Sequence, residues 1–268
     1  MKIGHLSDLH LDINQEHVEE DIVKVLCNTI KEKDWDILLI SGDISNHMDD
    51  TLSILHEIEK QTGRPVHFVP GNHDLARTIS MGSDDVLASY LADKSVPIGK
   101  PAIYGDIAIV GALGWYDYSY GPHTHTADLL ARLKGSLWYD GGHINFKDGD
   151  IDISERFLRQ LADDLAKVKD KQVWVMTHFV PYESNIRYID TTWNICNAYM
   201  GSESVGELLD IHENVRYVSF GHTHTRAGVK ESDQKTIVLN PLGYFDEWKT
   251  DSFEKELENV FVIVEWKK

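Results

Sequence analysis

Three short apolar runs in the first third of the chain each end in polar residues. The runs are KIGHLSDLH (residues 2–10), WDILLISGD (35–43) and PVHFVPGNHD (65–74). Near-continuous apolar runs of this length are typical of parallel strands that are buried on both faces. The sequence therefore predicts three buried strands whose polar ends supply aspartate, asparagine and histidine.

Apolar residues at helical spacing separate these runs. Residues 19–33 and 51–61 repeat apolar side chains every three or four positions, and Gly63 is a stop signal for the second helix. The order strand, helix, strand, helix, strand indicates βαβ units. In open α/β sheets, sites form at the carboxyl ends of the strands, so we expect the three polar ends to share one rim.

The second half of the chain repeats this pattern. An amphipathic helix is predicted at residues 154–169, with Ser154 as its N-cap, and a shorter helix at 204–212. Four apolar runs contain predicted strands: QVWVMTHFVP (172–181), RYVSFGHTH (216–224), KTIVLNPLG (235–243) and NVFVIVEWK (259–267). The first strand is predicted to end at His178, the second at His222 and His224, and the other two close the chain. We expect the last two to complete a sheet.

Residues 79–153 are more weakly patterned. They contain one clear strand at 108–113, followed by an aromatic and glycine-rich stretch at 114–125. The sequence shows no internal repeat, no low-complexity tract and no linker rich in proline or serine. A chain of 268 residues can bury one well-developed core. We therefore expect a single α/β domain over residues 1–268, with an elaborated middle segment at about 79–153.

The charge balance limits the partners that the surface can bind. The chain has 44 acidic and 26 basic residues, a formal net charge of -18. Because nucleic-acid affinity depends mainly on Lys and Arg neutralising phosphates, this balance disfavours nucleic acid and anionic membrane surfaces. The two cysteines provide neither a disulfide framework nor a thiolate metal site. Neither a signal peptide nor an apolar stretch of about 18 residues occurs, so we expect a cytoplasmic location without membrane partners.

Five strand ends supply metal-ligand residue types in a fixed order. The blocks are D-x-H, G-D, G-N-H-D, a single H and G-H-x-H. Their polar residues are Asp8, His10, Asp43, Asn72, His73, Asp74, His178, His222 and His224. Imidazole and carboxylate ligands without thiolates suit Mn²⁺, Fe or Zn²⁺. Each block alone is a weak signal, whereas five in order, each at a strand end, are a strong one.

A pair of metal ions can clamp the attacking and leaving oxygens of an in-line phosphoryl displacement. Such a pair needs a bridging carboxylate, and Asp43 suits this role because it follows Gly42 directly after a buried strand. In a regular extended strand His222 and His224 would face the same side, which would suit one shared metal.

The ordered blocks resemble those of the calcineurin-like metallophosphoesterases, and they extend from residue 8 to residue 224. The resemblance implies a β-sandwich of two mixed sheets flanked by α-helices, and a site with two divalent metal ions. It also implies a set of ligands divided between two ions that share Asp43: Asp8, His10 and His224 for one ion, and Asn72, His178 and His222 for the other.

The resemblance further implies the reaction. A metal-bound hydroxide would attack a small phosphomonoester or phosphodiester, and a nucleotide is among the substrates left open. His73 would stabilise the transition state or protonate the leaving oxygen, and Asp74 would orient His73. Cyclic-nucleotide phosphodiesterases and a nuclease are similar in these blocks, although the negative charge opposes the nuclease. A non-catalytic scaffold is the third alternative, and it is disfavoured because every ligand position is filled.

The residues that would contact substrate are less clearly marked. The stretch GWYDYSYGPHTH (114–125) is either an insertion packed on the domain or a lid. As a lid, its Trp115 and Tyr116 would stack on a nucleoside or aryl group. Arg77, after the G-N-H-D block, and Arg187, after the strand that ends at His178, are candidates for contacting a phosphate oxygen.

Overall fold

Two β-sheets form the centre of the protein, and helices flank them. The computed structural model describes residues 1–231 and 235–266. Within these residues the strands are β1 (Lys2–Leu6), β2 (Ile37–Ile40), β3 (Val66–Phe68), β4 (Ala102–Tyr104), β5 (Ile107–Gly111), β6 (Gln172–Met176), β7 (Val215–Ser219), β8 (Gly228–Glu231), β9 (Thr236–Leu239) and β10 (Val262–Glu265). The helices there are α1 (Leu11–Gln15), α2 (Ile22–Glu32), α3 (Met48–Thr62), α4 (Ser83–Ala92), α5 (Ala127–Leu137), α6 (Asp140–His143), α7 (Asp150–Lys167), α8 (Thr191–Cys196), α9 (Glu203–Asp210) and α10 (Phe253–Val260).

Both sheets are mixed. The first has the order β10-β1-β2-β3, in which β1, β2 and β3 are parallel and β10 is antiparallel to β1. The second has the order β4-β5-β6-β7-β9-β8, in which β5, β6, β7 and β9 are parallel and the outer strands β4 and β8 are antiparallel. This architecture confirms the predicted fold class of two mixed sheets flanked by helices.

The predicted helices are present, and the largest difference in a boundary is at the start of α7. Helix α3 ends at Gly63, which has the left-handed φ of 66° that glycine tolerates, as predicted. Helix α7 begins at Asp150 after Gly149, four residues before the predicted N-cap Ser154. Ser154 instead lies inside the helix, where its hydroxyl donates to the Trp115 carbonyl at 2.8 Å. The hydroxyl thus ties the helix to the middle segment.

The two closing strands join different sheets, contrary to the expectation that they complete one. Strand β9 pairs with β7 in the second sheet, whereas β10 pairs with β1 in the first. Within the predicted run 259–267, β10 covers Val262–Glu265, and Val260 belongs to the end of α10. Lys267 lies outside the described residues. Strand β10 therefore forms the edge of the sheet that contains β1, the first strand of the chain.

The middle segment shares a hydrophobic core with the sheets. Ile3 of β1, Trp174 of β6 and the aromatic residues Trp115 and Tyr116 belong to one buried cluster. On this basis we propose that residues 1–268 form a single domain. In the described part of the chain, no helix is both long enough and apolar enough to cross a membrane.

Candidate metal centre

Five loops that follow parallel strands bring the predicted ligands together. The loops follow β1, β2, β3, β6 and β7, and they place their side chains in groups whose candidate donor atoms lie within 4.8 Å of one another. His224 is half-buried and the other predicted ligands are buried: Asp8, His10, Asp43, Asn72, His178 and His222. The strands β1 to β3 are parallel in the first sheet and β6 and β7 are parallel in the second, and the loops after them bring together residues as distant in sequence as His10 and His224, which are 214 positions apart.

The first group consists of Asp8, His10 and His224. The Nε2 atoms of His10 and His224 are 3.1 Å apart, and His224 Nε2 is 3.6 Å from Asp8 Oδ1. The other oxygen of Asp8 is buried without a hydrogen-bond partner. Two imidazole nitrogens and a carboxylate therefore point at one small volume.

The second group consists of Asn72, His178 and His222. His178 Nε2 lies 3.2 Å from Asn72 Oδ1 and 3.1 Å from His222 Nδ1. The Nδ1 atom of His178 donates a hydrogen bond to the Ser41 carbonyl at 2.8 Å, and Nε2 is directed at the group. These atoms form a second set of nitrogen and oxygen donors.

Asp43 lies between the two groups. Its Oδ2 is 3.8 Å from His10 Nε2 in the first group and 3.2 Å from His178 Nε2 in the second. Its other oxygen, Oδ1, accepts the backbone N–H of His73 at 2.9 Å, which fixes the carboxylate. Burial opposes ionisation, but the imidazoles of His178 and His73 hold the pKa of Asp43 well below its ordinary value. Asp43 therefore offers an ionised oxygen to both groups.

The pKa of His178 reflects the same pairing. Burial lowers this pKa, but the Asp43 carboxylate outweighs burial and raises it to about 9. At neutral pH the imidazole thus holds a proton between Asp43 and the second group. Metal binding at Nε2 would release that proton, because only the neutral imidazole is a ligand.

Backbone strain is concentrated at the predicted ligands. In residues 1–231 and 235–266, six non-glycine residues have positive φ, and five of them are predicted ligands. The five are Asp8 (54°), His10 (42°), Asp43 (57°), His222 (70°) and His224 (50°). Such conformations cost about 1–3 kcal/mol each and persist where the surrounding structure imposes them, commonly at functional sites.

The two histidines of the G-H-x-H block do not lie in an extended strand. Strand β7 ends at Ser219, and both His222 and His224 have left-handed φ in the loop that follows. The geometry of a regular extended strand, in which both would face the same side, therefore does not apply to them. The loop turns His222 toward His178 and His224 toward His10, so that one block serves both groups.

Two glycines of the motifs allow the loops to approach closely. A Cβ atom on Gly42 would lie 2.4 Å from His178 Nδ1, and the φ of Gly42 is 84°. A Cβ atom on Gly221 would lie 2.2 Å from Asp8 Oδ2. Because any side chain at these positions would displace a predicted ligand, the site requires glycine at both positions.

Asp74 does not orient His73, contrary to the expectation from the sequence. Its carboxylate accepts four backbone N–H groups, those of Gly71, Asp43, Ile44 and Ser45, at 2.6–3.3 Å. It also accepts the Thr51 hydroxyl at 3.1 Å. Asp74 thus holds together the two loops that carry Asp43 and Asn72, and its role is in positioning the backbone.

Asp74→Asn is expected to lower the free energy of unfolding by about 2–4 kcal/mol, because an amide nitrogen would face donors that now bind a carboxylate oxygen. Urea denaturation of the purified protein measures the loss. Asp163→Asn, the same change at an exposed position of α7, is the control. A loss that matches this control would contradict the role that we assign to Asp74.

His73 is oriented by Asn46, a residue that sequence reasoning missed. Asn46 Oδ1 lies 2.9 Å from His73 Nδ1, and Asn46 Nδ2 donates to Asp12 Oδ2 at 2.8 Å. Since a carboxylate can only accept, Asp12 fixes the amide with its oxygen toward His73. Nδ1 of His73 is therefore the donor, and Nε2 points away from Asn46 toward the Tyr244 hydroxyl at 3.2 Å.

The donor set fits a pair of divalent cations. It contains imidazole nitrogens, carboxylate oxygens and one carboxamide oxygen, without a thiolate, and this chemistry suits Mn²⁺, Fe or Zn²⁺. One carboxylate is common to two groups, as a bridged pair of ions requires.

A family model described as calcineurin-like phosphoesterase matches residues 1–226. The chain belongs to the calcineurin-like phosphoesterase family. It is therefore a metal-dependent phosphoesterase, and its family implies two divalent metal ions at the Asp and His groups described above. The match extends over all five of the sequence blocks.

Similar proteins agree with this membership. A Fibrobacter succinogenes protein named "Probable cyclic nucleotide phosphodiesterase" is 26% identical over 247 residues, covering 90% of this chain and 79% of the relative. An Arcobacter nitrofigilis protein named "Probable glycerophosphodiester phosphodiesterase" is 24% identical over 233 residues, covering 84% of this chain and 72% of the relative.

Solved structures share the fold. A phosphopantetheinyl hydrolase from Mycobacterium tuberculosis has a TM-score of 0.71 at 18% identity, with 94% of each chain covered. A dimetal phosphatase from Danio rerio has a TM-score of 0.51 at 16% identity, with 89% of this chain and 86% of that chain covered. At these identities the likeness concerns the fold alone.

A cavity of about 340 Å³ opens onto the metal centre of the phosphoesterase. Among its described lining residues are the predicted ligands Asp43, Asn72, His222 and His224, together with His73. Four further aromatic side chains form much of the remaining wall, and they are Trp138, Tyr139, Trp193 and Tyr244. No lysine or arginine is among the described residues that line it.

Trp115 and Tyr116 do not contact this cavity, which corrects their prediction as substrate contacts. Their side chains are 1% and 0% exposed, and their rings stack on each other with centroids 4.6 Å apart. Trp115 Nε1 donates to Asp150, and the Tyr116 hydroxyl donates to Asp140. The aromatic stretch forms part of the core, as in the insertion alternative, because its rings pack on Phe179 next to His178.

The predicted arginines lie outside the cavity wall. Arg77 donates from its guanidinium to the Gly142 carbonyl at 3.3 Å. Arg187 is exposed and lines a smaller neighbouring pocket. This pocket and the cavity have three lining residues in common, Trp193, Met200 and Thr223. A phosphate contact from either arginine stays a prediction.

Two further residues that sequence reasoning missed lie beside the first group. Glu247 accepts a hydrogen bond from His224 Nδ1 at 2.6 Å, the common way in which a carboxylate orients a metal-binding imidazole. Tyr244 packs on the ring of His10 with centroids 4.4 Å apart. Both residues follow β9 and belong to no recognised block, so only the packing of the loop reveals them.

Proposed function

We propose that this phosphoesterase hydrolyses small phosphodiesters that carry a flat, uncharged organic group, the class to which cyclic nucleotides belong. The observation that carries the proposal is the position of Asp43 between two ligand groups at the floor of a cavity with aromatic walls. Both relatives are phosphodiesterases by name, which supports a diester over a monoester.

In this proposal each ligand group holds one divalent ion. Asp8, His10 and His224 hold the first ion, Asn72, His178 and His222 the second, and Asp43 contacts both. The ions, when bound, supply Lewis-acid stabilisation of phosphoryl oxygens and lower the pKa of water. Mn²⁺, Fe and Zn²⁺ are the identities that the donor atoms favour.

His73 acts from the wall of the cavity in this proposal. Its Nε2 lies 3.2 Å from the hydroxyl of Tyr244, another wall residue, while Asn46 accepts from Nδ1 and the ring of Tyr139 stacks on the imidazole with centroids 4.0 Å apart. A fixed imidazole in this position can donate from Nε2, when protonated, to a phosphoryl oxygen or to the leaving oxygen. Asp74 contributes by holding the Asp43 and Asn72 loops rather than by touching the substrate.

The walls of the cavity support the choice of substrate. Trp138, Trp193 and Tyr244 offer ring surface on which a flat group can stack, whereas the two faces of Tyr139 are covered by His73 and His143. Stacking on an aromatic side chain contributes about 1–3 kcal/mol per base. The described lining provides no lysine or arginine to bind a second phosphate. A substrate with a single phosphodiester and a neutral ring therefore fits better than a polyphosphate or a nucleic acid.

A substrate panel tests the proposal. Metal-free protein is supplied with Mn²⁺ and incubated with 3′,5′-cyclic AMP, bis-p-nitrophenyl phosphate, p-nitrophenyl phosphate and glycerophosphocholine. We expect the two ring-bearing diesters to be hydrolysed faster than the monoester and the ringless diester. Faster hydrolysis of glycerophosphocholine would contradict the substrate class, and hydrolysis of none of the four by protein with two bound ions would contradict the activity.

Trp193→Ala is expected to lower kcat/KM for ring-bearing diesters by roughly tenfold, because one stacking face is lost. The effect on a ringless diester should be small, since the two metal ions and their ligands are unchanged. Steady-state kinetics on both substrates measure the difference. Tyr188→Ala, an exposed aromatic residue outside the described cavity lining, is the control, and equal effects on both substrates would contradict stacking at Trp193.

A further inference from the structure

The carboxamide of Asn72 is held at both ends. Its Nδ2 donates to Asp140 Oδ1 at 2.8 Å, and its Oδ1 lies 3.2 Å from His178 Nε2. An amide can bind a cation only through its oxygen, so the orientation of this side chain decides whether Asn72 can serve as a ligand. Rotation by 180° about the last side-chain bond would direct an N–H₂ group at the second ligand group.

Asp140 selects the productive orientation. An ionised carboxylate accepts hydrogen bonds and donates none, so it binds the Nδ2 end of Asn72 and turns Oδ1 toward His178. Asp140 is fully buried, and its second oxygen accepts the Tyr116 hydroxyl at 2.9 Å. Both oxygens are therefore occupied, and the carboxylate cannot rotate without losing a hydrogen bond inside the core.

Tyr116 is fixed in turn by the buried aromatic stretch. Its ring stacks on Trp115 and packs edge to face against Phe179 and Tyr199, with centroids 5.6 and 5.7 Å away. Phe179 directly follows His178, so the same ring cluster supports two residues of the second group. These contacts give the aromatic stretch a function that does not require any contact with substrate.

We propose that Asp140 and Tyr116 are positioning residues that set the orientation of Asn72, so that the middle segment controls binding of the second ion. The inference rests on the proposed pair of ions. In the described part of the chain, no hydrogen bond joins Asp8, His10 or His224 to Asp140 or Tyr116, so the first ion should not depend on these two residues. Loss of a residue that orients a metal ligand commonly weakens metal binding by about 10- to 100-fold.

Calorimetric titration of the metal-free full chain with Mn²⁺ tests the inference. For Asp140→Ala we expect one ion to bind as in the wild type and the other to bind about 10- to 100-fold more weakly. Asp140→Asn can accept Asn72 Nδ2 with its oxygen while its own N–H₂ donates to the Tyr116 hydroxyl, which can also accept, so it should recover most of that loss. Tyr116→Phe keeps Asp140 but frees it to rotate, and it should produce a smaller loss in the same ion.

Asp150→Ala is the matched control. Asp150 accepts Trp115 Nε1, the Tyr118 hydroxyl and Lys134 Nζ within the same aromatic network, and it does not contact Asn72. Thermal unfolding of each metal-free variant shows how much the core has loosened. Asp150→Ala should lower stability while keeping both ions.

Three results would overturn the inference. Wild-type affinity for both ions in Asp140→Ala and Tyr116→Phe would remove the positioning role. An Asp140→Asn variant as weak as Asp140→Ala would assign the effect to charge, and loss of the second ion in Asp150→Ala would assign it to general loosening. A wild-type protein that binds fewer than two ions would instead overturn the proposed function, so the two failures are distinguishable.

Discussion

Asp43→Asn is expected to remove both metal ions and to lower phosphodiester hydrolysis by about a thousandfold or more. The carboxylate lies between the two ligand groups, with Oδ2 3.8 Å from His10 Nε2 and 3.2 Å from His178 Nε2. An amide of the same size carries no charge and bridges two cations poorly. Elemental analysis of the dialysed protein gives the metal content, and steady-state kinetics give the activity.

The control for this change is Asp163→Asn at the exposed surface of α7. It removes the same charge from the chain and should leave metal content and turnover as in the wild type. Loss of only one ion in Asp43→Asn would contradict a shared ligand. Retention of both ions with full activity would show that Asp43 is not a ligand.

His73→Ala is expected to lower kcat by about 100- to 10,000-fold while both ions are retained. His73 lines the cavity beside Asp43, but its Nδ1 is bonded to Asn46 and its Nε2 faces Tyr244. Because a proton donor contributes to the transition state more than to substrate binding, KM should change little. Kinetics and elemental analysis of the same preparation separate the two effects.

His143→Ala is the matched control for His73. The exposed His143 ring stacks on the opposite face of Tyr139 with centroids 3.9 Å apart, so both variants remove a stacking partner of that tyrosine. We expect His143→Ala to have little effect on kcat. A His73→Ala protein that has lost an ion would move His73 from catalysis to ligation, and equal losses in both variants would assign the effect to Tyr139.

The ligand loops were predictable because their residues follow parallel strands, β1 to β3 in the first sheet and β6 and β7 in the second. Asp8, Asp43, Asn72, His178 and His222 each come shortly after a buried apolar run, and parallel strands place such positions at one edge of a sheet. The order of the blocks then identified the family. The left-handed backbone that separates His222 from His224 was not predictable, because neither residue is a glycine or an asparagine.

The surroundings of the site were not predictable from local sequence. The orientation of His73 depends on Asn46 and Asp12, whose hydrogen bonds exist only after two loops have packed. Trp193 and Tyr244 come from segments that no block marks, and they meet only at the cavity. The aromatic residues at 114–125 suggested substrate contact, but Trp115 and Tyr116 are buried in the core. There the Tyr116 hydroxyl donates to Asp140, which in turn accepts Asn72 Nδ2.

Anomalous diffraction from crystals grown with Mn²⁺ tests the central claim most directly. We predict two peaks about 3.5–4 Å apart, one beside His10 and His224 and the other beside His178 and His222, with Asp43 contacting both. A single peak, or two peaks that Asp43 does not bridge, would contradict the account.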